Sequence, residues 1–122
     1  MNVLEQYMIK RFENRMVTHL HKYFPEKSIS LGSEGLLSVI RYGISWAKKY
    51  GIVIENDIGR YINLMFVFGK KFDMNPDLPW ASKVLKDVYC SKSSDKMDML
   101  YKKAEKHLDN ADPIQKQENM SE

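Results

Sequence analysis

The sequence predicts an all-α protein, a compact bundle of about five helices around a central hydrophobic helix at about 56–68. Three observations lead there. Apolar residues recur at three- and four-residue spacing along most of the chain, which is the period of helices and not of strands. The run Ile62-Asn63-Leu64-Met65-Phe66-Val67-Phe68 is apolar on nearly every side, so a helix there needs neighbours all round it. Prolines and glycines fall between these segments, where helices start and stop.

The first helix is expected over Val3–Phe24. Leu4, Met8, Phe12, Met16, Leu20 and Phe24 recur every four residues, and Tyr7 and Tyr23 widen the stripe. Pro25 stops it, because the residue before proline is pushed out of the α region. Residues 26–32 read as a polar connection, with Ile29 and Leu31 tucking it back onto the core. A second helix runs from Ser33, as its N-cap, to Tyr50, with Leu36, Leu37, Ile40, Ile44 and Ala47 facing inward. Gly43 lies mid-helix, where glycine costs about 1 kcal/mol against alanine, and close approach of another helix would explain it. Gly51 suits a left-handed C-terminal cap.

The third helix starts near Asn56 or Asp57 and ends at Gly69, with Leu64, Met65 and Phe68 as core residues. Pro79 and Trp80 open a fourth helix to about Tyr89, proline being favoured in the first turn. Ser94 or Asp95 caps a fifth, which carries Met97, Leu100, Tyr101, Ala104 and Leu108. Residues 1–108 thus form a single helical domain. Residues 109–122 hold little to bury and form a disordered acidic tail.

Composition narrows the function. An apolar fraction of 43% and a charged fraction of 29% belong to an ordinary soluble domain. Cys90 is the only cysteine, so no intrachain disulfide forms, and a reducing cytoplasm is the natural compartment. The opening residues carry charges within their apolar run and no small-residue cleavage site, unlike a secretory signal. The longest uncharged run, Tyr61–Gly69, is under half of the roughly 20 residues that span a bilayer. Residues 1–108 hold 18 Lys and Arg against 12 Asp and Glu, whereas the tail holds one lysine against four acids. That basic body keeps open a nucleic-acid partner, beside the plainer reading of a solvated surface.

Candidate sites are few. Asp73-Met74-Asn75-Pro76-Asp77 starts like a calcium loop, but the glycine position holds Leu78 and the twelfth position Val84, which favours turn and cap roles. His19 and His21 stand two apart and point different ways, so they read as surface residues and not as a metal pair. Cys90 has lysines nearby but no partner base. Asp57 and Arg60 read as a surface pair at i, i+3; the alternative is that Lys70, Lys71, Asp73 and Asp77 reach across the turn to that pair. No nucleophile has its base, so the sequence points to no enzyme, cofactor or metal.

The strongest feature is the row Tyr42, Trp46, Tyr50, four residues apart, with Arg41, Lys48 and Lys49 alongside. It either packs on the first or fifth helix or forms a binding surface, since Trp, Tyr and Arg are enriched at hot spots. Stacking of nucleic-acid bases is a third use. The partner-binding candidates are Tyr42, Trp46, Lys49, Tyr50, Asp73, Asp77 and Trp80.

A set of these residues also carries a resemblance. Tyr50-Gly51-Ile52, Glu55, Asp57, Tyr61, Leu64-Met65-Phe66, Gly69, Phe72-Asp73, Pro76 and Pro79-Trp80-Ala81 resemble a pattern in small, uncharacterised, all-helical bacterial proteins. Those proteins are associated with secreted toxins, including type VI secretion effectors. The resemblance covers roughly residues 36–105. It implies a protein that binds another protein, as an immunity protein or an effector chaperone does. The expectation for the whole chain is a monomeric or dimeric cytoplasmic bundle that binds a bacterial toxin or effector. The alternative is a small basic helical protein that binds nucleic acid.

The tail gives a direct test. Deleting residues 110–122 removes only Ala111, Ile114 and Met120 as apolar groups, too few to offset the entropy of ordering the segment. The expected melting temperature of the truncated protein equals that of the full chain.

Overall fold

The structure is a computed structural model, and it describes residues 2–87 and 92–111, the last of these by its backbone alone. The described residues form an all-α fold of five helices with no strand: α1 (Val3–Tyr23), α2 (Pro25–Lys49), α3 (Glu55–Phe68), α4 (Pro79–Leu85) and α5 (Ser93–Ala111). None is long and apolar enough to cross a membrane. The chain divides into two compact units, with the break between Phe72 and Asp73. The single domain expected over 1–108 gives no sign of that division. Cys90 and residues 112–122, where most of the expected tail falls, lie outside the described residues.

The first unit holds α1, α2 and α3. Asn2 caps α1, its Oδ1 accepting the Glu5 N–H at 2.8 Å. Phe12, Met16 and Leu20 are buried, as their spacing predicts. The stripe fails in its first two turns. Leu4 and Met8 are 66% and 51% exposed, and Tyr7 and Tyr23 are exposed too. Regular spacing gives a helix one apolar face but does not supply an element to cover all of it.

Pro25 does more than end α1. It occupies the first turn of α2, where its missing N–H costs nothing. Only Phe24 separates the two helices, so residues 25–31 are helical and not the expected polar connection. Ser28 is buried in that turn, and its hydroxyl has no hydrogen-bond partner among the described residues. Ile29, 73% exposed, and Leu31, also exposed, do not tuck onto the core as predicted. Gly32, at φ 73° and ψ 172°, then kinks α2. That backbone is strained for any residue with a Cβ. Ser33 already lies in the helix, so the non-helical residue at the restart is Gly32 and not Ser33.

At the far end of α2, Gly51 takes φ 81°. The Ile52 N–H donates to the Ala47 carbonyl at 2.9 Å and the Gly51 N–H to that of Lys48 at 3.0 Å. This is the Schellman pattern, and it carries Ile52 into the core beside Ala47.

α3 buries Ile58, Tyr61, Ile62, Leu64, Met65 and Phe66. Of the three core residues expected here, Leu64 and Met65 are buried but Phe68 is only half-buried, and Phe66, 4% exposed, is the core phenylalanine. Phe68 is the last helical residue before Gly69 leaves the helix at φ 111°, so it sits at the end of the packed face. Val67 is exposed, so α3 is not enclosed on every side. Asp57 and Arg60 pair at 3.5 Å, but Asp57 is buried, which corrects the expected surface pair.

In the second unit, the N-cap residue Leu78 is buried, with Ala81 and Leu85 of α4 and Met97, Leu100 and Ala104 of α5. The buried Lys96 donates its Nζ to the Leu85 carbonyl at 3.0 Å, satisfying a helix-end acceptor. α4 ends at Leu85, four residues before the expected Tyr89. α5 begins at Ser93 and continues through Ala111, and its Leu108 is exposed, not core.

The α2–α3 crossing yields a prediction. A Cβ on Gly43 would lie 2.7 Å from Ile62 Cγ1 and 2.9 Å from Met65 Sδ. Gly43→Ala should therefore destabilise by about 1–3 kcal/mol through overpacking, although alanine is the better helix former. Urea unfolding checks the sign.

Candidate functional site

Gly43, Ala47, Leu36 and Ile40 turn one face of α2 toward the core. About a quarter-turn away lies a second strip, Val39, Tyr42, Trp46 and Tyr50, at intervals of three and four residues. All four side chains are half-buried. Ring centroids are 6.2 Å apart for Tyr42 and Trp46, and 6.1 Å for Trp46 and Tyr50. Both distances fit the tilted packing that aromatic quadrupoles favour.

The row does not end on α2. Tyr50 meets Tyr61 of α3 at 6.3 Å, and Tyr61 meets Phe72 at 5.1 Å. Tyr61 and Phe72 are fully buried, so the strip is rooted in the core of the first unit. The sequence placed this row on the first or fifth helix or at a partner; its anchor in the first unit is α3.

Two ammonium groups lie over the rings. Lys49 Nζ is 4.2 Å from the Trp46 centroid and Lys70 Nζ 4.2 Å from that of Tyr42. A contact of this kind is worth about 0.5–1 kcal/mol at an exposed site. Arg41 leaves the row and pairs with buried Glu13 of α1, at 2.8 Å from Nε and 3.4 Å from Nη2. The hydrogen bond to Glu13, and then its charge, hold Arg41 above the ordinary arginine range.

Sequence reasoning missed the groove beside this strip. It has a volume of about 460 Å³, within the span of ligand-sized pockets. Leu31, Val39, Met65 and Phe66 form its apolar walls, with Lys27 and Lys70 among the polar lining. Lys27 donates to the Phe66 carbonyl near the end of α3. Reading residues 26–32 as a loop hid it, since one wall is helical only because Pro25 starts a helix.

The structure brings Tyr42, Trp46, Lys49 and Tyr50 together. Asp73, Asp77 and Trp80 belong to the second unit. There Asp73 is buried and Asp77 is exposed. The Asp77 N–H donates to Asn75 Oδ1 at 2.9 Å, the turn role expected of Asn beside proline. Trp80 lies against His107, with ring centroids 5.9 Å apart. Lys70, expected to reach toward Asp57 and Arg60, lies over Tyr42 instead. His19 is not a plain surface residue: its Nε2 is 2.9 Å from Asn63 Oδ1 and its ring 4.7 Å from that of Tyr23. Among the described residues, no three His, Cys, Asp or Glu side chains are grouped to hold a metal ion.

No protein family, no curated protein and no solved structure matches the chain.

The half-buried setting of Trp46 sets its cost. Trp46→Ala removes two ring contacts and one cation contact without opening a core cavity. The expected loss is about 1–2 kcal/mol, against the 3–5 kcal/mol of a core aromatic. Helical circular dichroism should be retained, with a small fall in melting temperature.

Proposed function

We propose that the protein acts by binding another protein and not by catalysis, with the aromatic strip of α2 as its docking surface. The observation that carries this is the row Tyr42, Trp46 and Tyr50, half-exposed, rooted in the core through Tyr61 and flanked by lysines. Rigid aromatic groups bind with little ordering cost, which is why they dominate hot spots. The partner is a bacterial secreted toxin or effector, a reading supported by the resemblance over residues 36–105. An immunity protein would cover the toxin's active site in the cytoplasm. A chaperone would hold a non-catalytic segment for loading.

The test is binding of the purified protein to the toxin or effector encoded beside it, and to generic DNA, at low and moderate salt. Capture of the toxin should depend weakly on salt. Trp46→Ala, once shown to fold, should weaken it by at least about 2 kcal/mol, roughly thirtyfold. DNA binding should be feeble and vanish by physiological salt. Nanomolar, steeply salt-dependent DNA binding with no toxin capture would place the protein among nucleic-acid-binding modules instead.

A further inference from the structure

We infer that the groove and the aromatic strip form one continuous seat for an acidic amphipathic helix of the partner. This rests on the protein-binding reading above and names the chemistry of what binds.

Continuity comes first. Val39 lines the groove and shares its strip of α2 with Tyr42, Trp46 and Tyr50. Lys70 also lines the groove, and its ammonium lies 4.2 Å from the Tyr42 centroid. From Val39 to Tyr50 the helix rises about 16 Å, at about 1.5 Å per residue. Three turns of a docked helix have that length. Anchors at i, i+3 or i+4, and i+7 would then meet the groove and the spaces between successive rings.

Sign comes from the lysines. Lys27 and Lys70 line the groove, and Lys49 lies over Trp46 farther along the strip. Glu26 is the one acid lining the groove. An ammonium group has three donors, and Lys27 uses one on the Phe66 carbonyl. The others are available to a carboxylate. A helix with Asp or Glu flanking its apolar anchors would pair with these ammonium groups, whereas a basic helix would meet repulsion at both ends. The apolar anchor entering the groove would contact Leu31, Val39, Met65 and Phe66.

The probe is a synthetic amphipathic helix with leucine at i, i+3, i+4 and i+7 and glutamate at the flanking positions. Its twin carries lysine for every glutamate. Each is titrated into the full chain while NMR follows the Met65 methyl and Trp46 indole signals. The acidic peptide should shift both together and saturably, and the lysine twin should bind at least tenfold more weakly. Val39→Asp, at a half-buried position, and Lys70→Glu, at an exposed one, should each weaken the acidic peptide at least tenfold. Lys70→Glu should also improve the lysine twin. Equal binding of the two peptides, no movement of the Met65 methyl, or indifference to Val39→Asp would overturn the proposal. So would self-association abolished by Val39→Asp, which would make the strip an interface between copies. Toxin capture separates this failure from that of the broader reading. Capture lost in Trp46→Ala but intact in Val39→Asp and Lys70→Glu keeps the binding function and removes the acidic-helix seat. Peptide binding of the expected sign without toxin capture keeps the seat and removes the toxin.

Discussion

The first unit depends on a contact that leaves no room for a methyl group. Where α2 crosses α3, Ile62 and Met65 occupy the space that a Cβ on Gly43 would need. The glycine costs helix propensity, about 1 kcal/mol, and in return the two backbones approach closely enough for Ile62 and Met65 to bury. The reversal that brings α3 back is set a few residues later. Gly51 in a left-handed conformation, with the Ile52 amide on Ala47, turns the chain and seats Ile52 in the core. Both devices use glycine for what no other residue does cheaply, once for size and once for φ.

The aromatic strip is anchored on α3, the helix that makes that crossing. Tyr61 of α3 lies in the core, meets Phe72 and Tyr50, and so ties a half-buried row of rings to a buried one. Arg41 and Glu13 hold α2 to α1 independently of the rings. A side chain already fixed by its neighbours loses little entropy when a partner covers it, whereas a free tryptophan loses more. Trp46 is held on three sides, by Tyr42, Tyr50 and Lys49. Preorganisation of this kind is a property of the packing beneath the surface as much as of the surface residues.

What was legible in the sequence follows the range of the interaction. The five helices and the Gly51 cap depend on residues within a turn or two, and spacing displays them; Gly43 was legible as a glycine inside a helix, although the Ile62 and Met65 side chains that require it come from α3. The helical segment 25–31 was not legible, because proline ends one helix and opens the next with equal ease. Pro25 does both within two residues. Leu4, Met8 and Leu108 continue their stripes without burial, since periodicity says which face is apolar but not how far a neighbour extends. Phe66 and Phe68 are both apolar near the end of one helix, and only the place where α3 leaves its partner decides between them. The aromatic row was visible as spacing on a single helix. The groove was not, because its walls come from either side of the Gly32 kink and from α3. Nor was the division at Phe72, which depends on how contacts are distributed through the whole chain.

In the proposed seat the lysines would supply selectivity. A half-buried row of rings beside an apolar groove would, without charge, associate with many surfaces, its own included. Lys27, Lys49 and Lys70 change that. A second copy docking through the same strip would set ammonium groups near ammonium groups in a partly desolvated interface, where like charges are costly. The same groups that would disfavour self-association would favour a carboxylate-bearing partner, so in the proposed seat one feature would both reject and recruit. Because Lys49 and Lys70 already lie over rings, a partner's carboxylates would meet cations held in place and not sweeping through solvent. In the proposed seat, charge fixed beside an apolar groove would let the protein choose its partner by sign before it does so by shape.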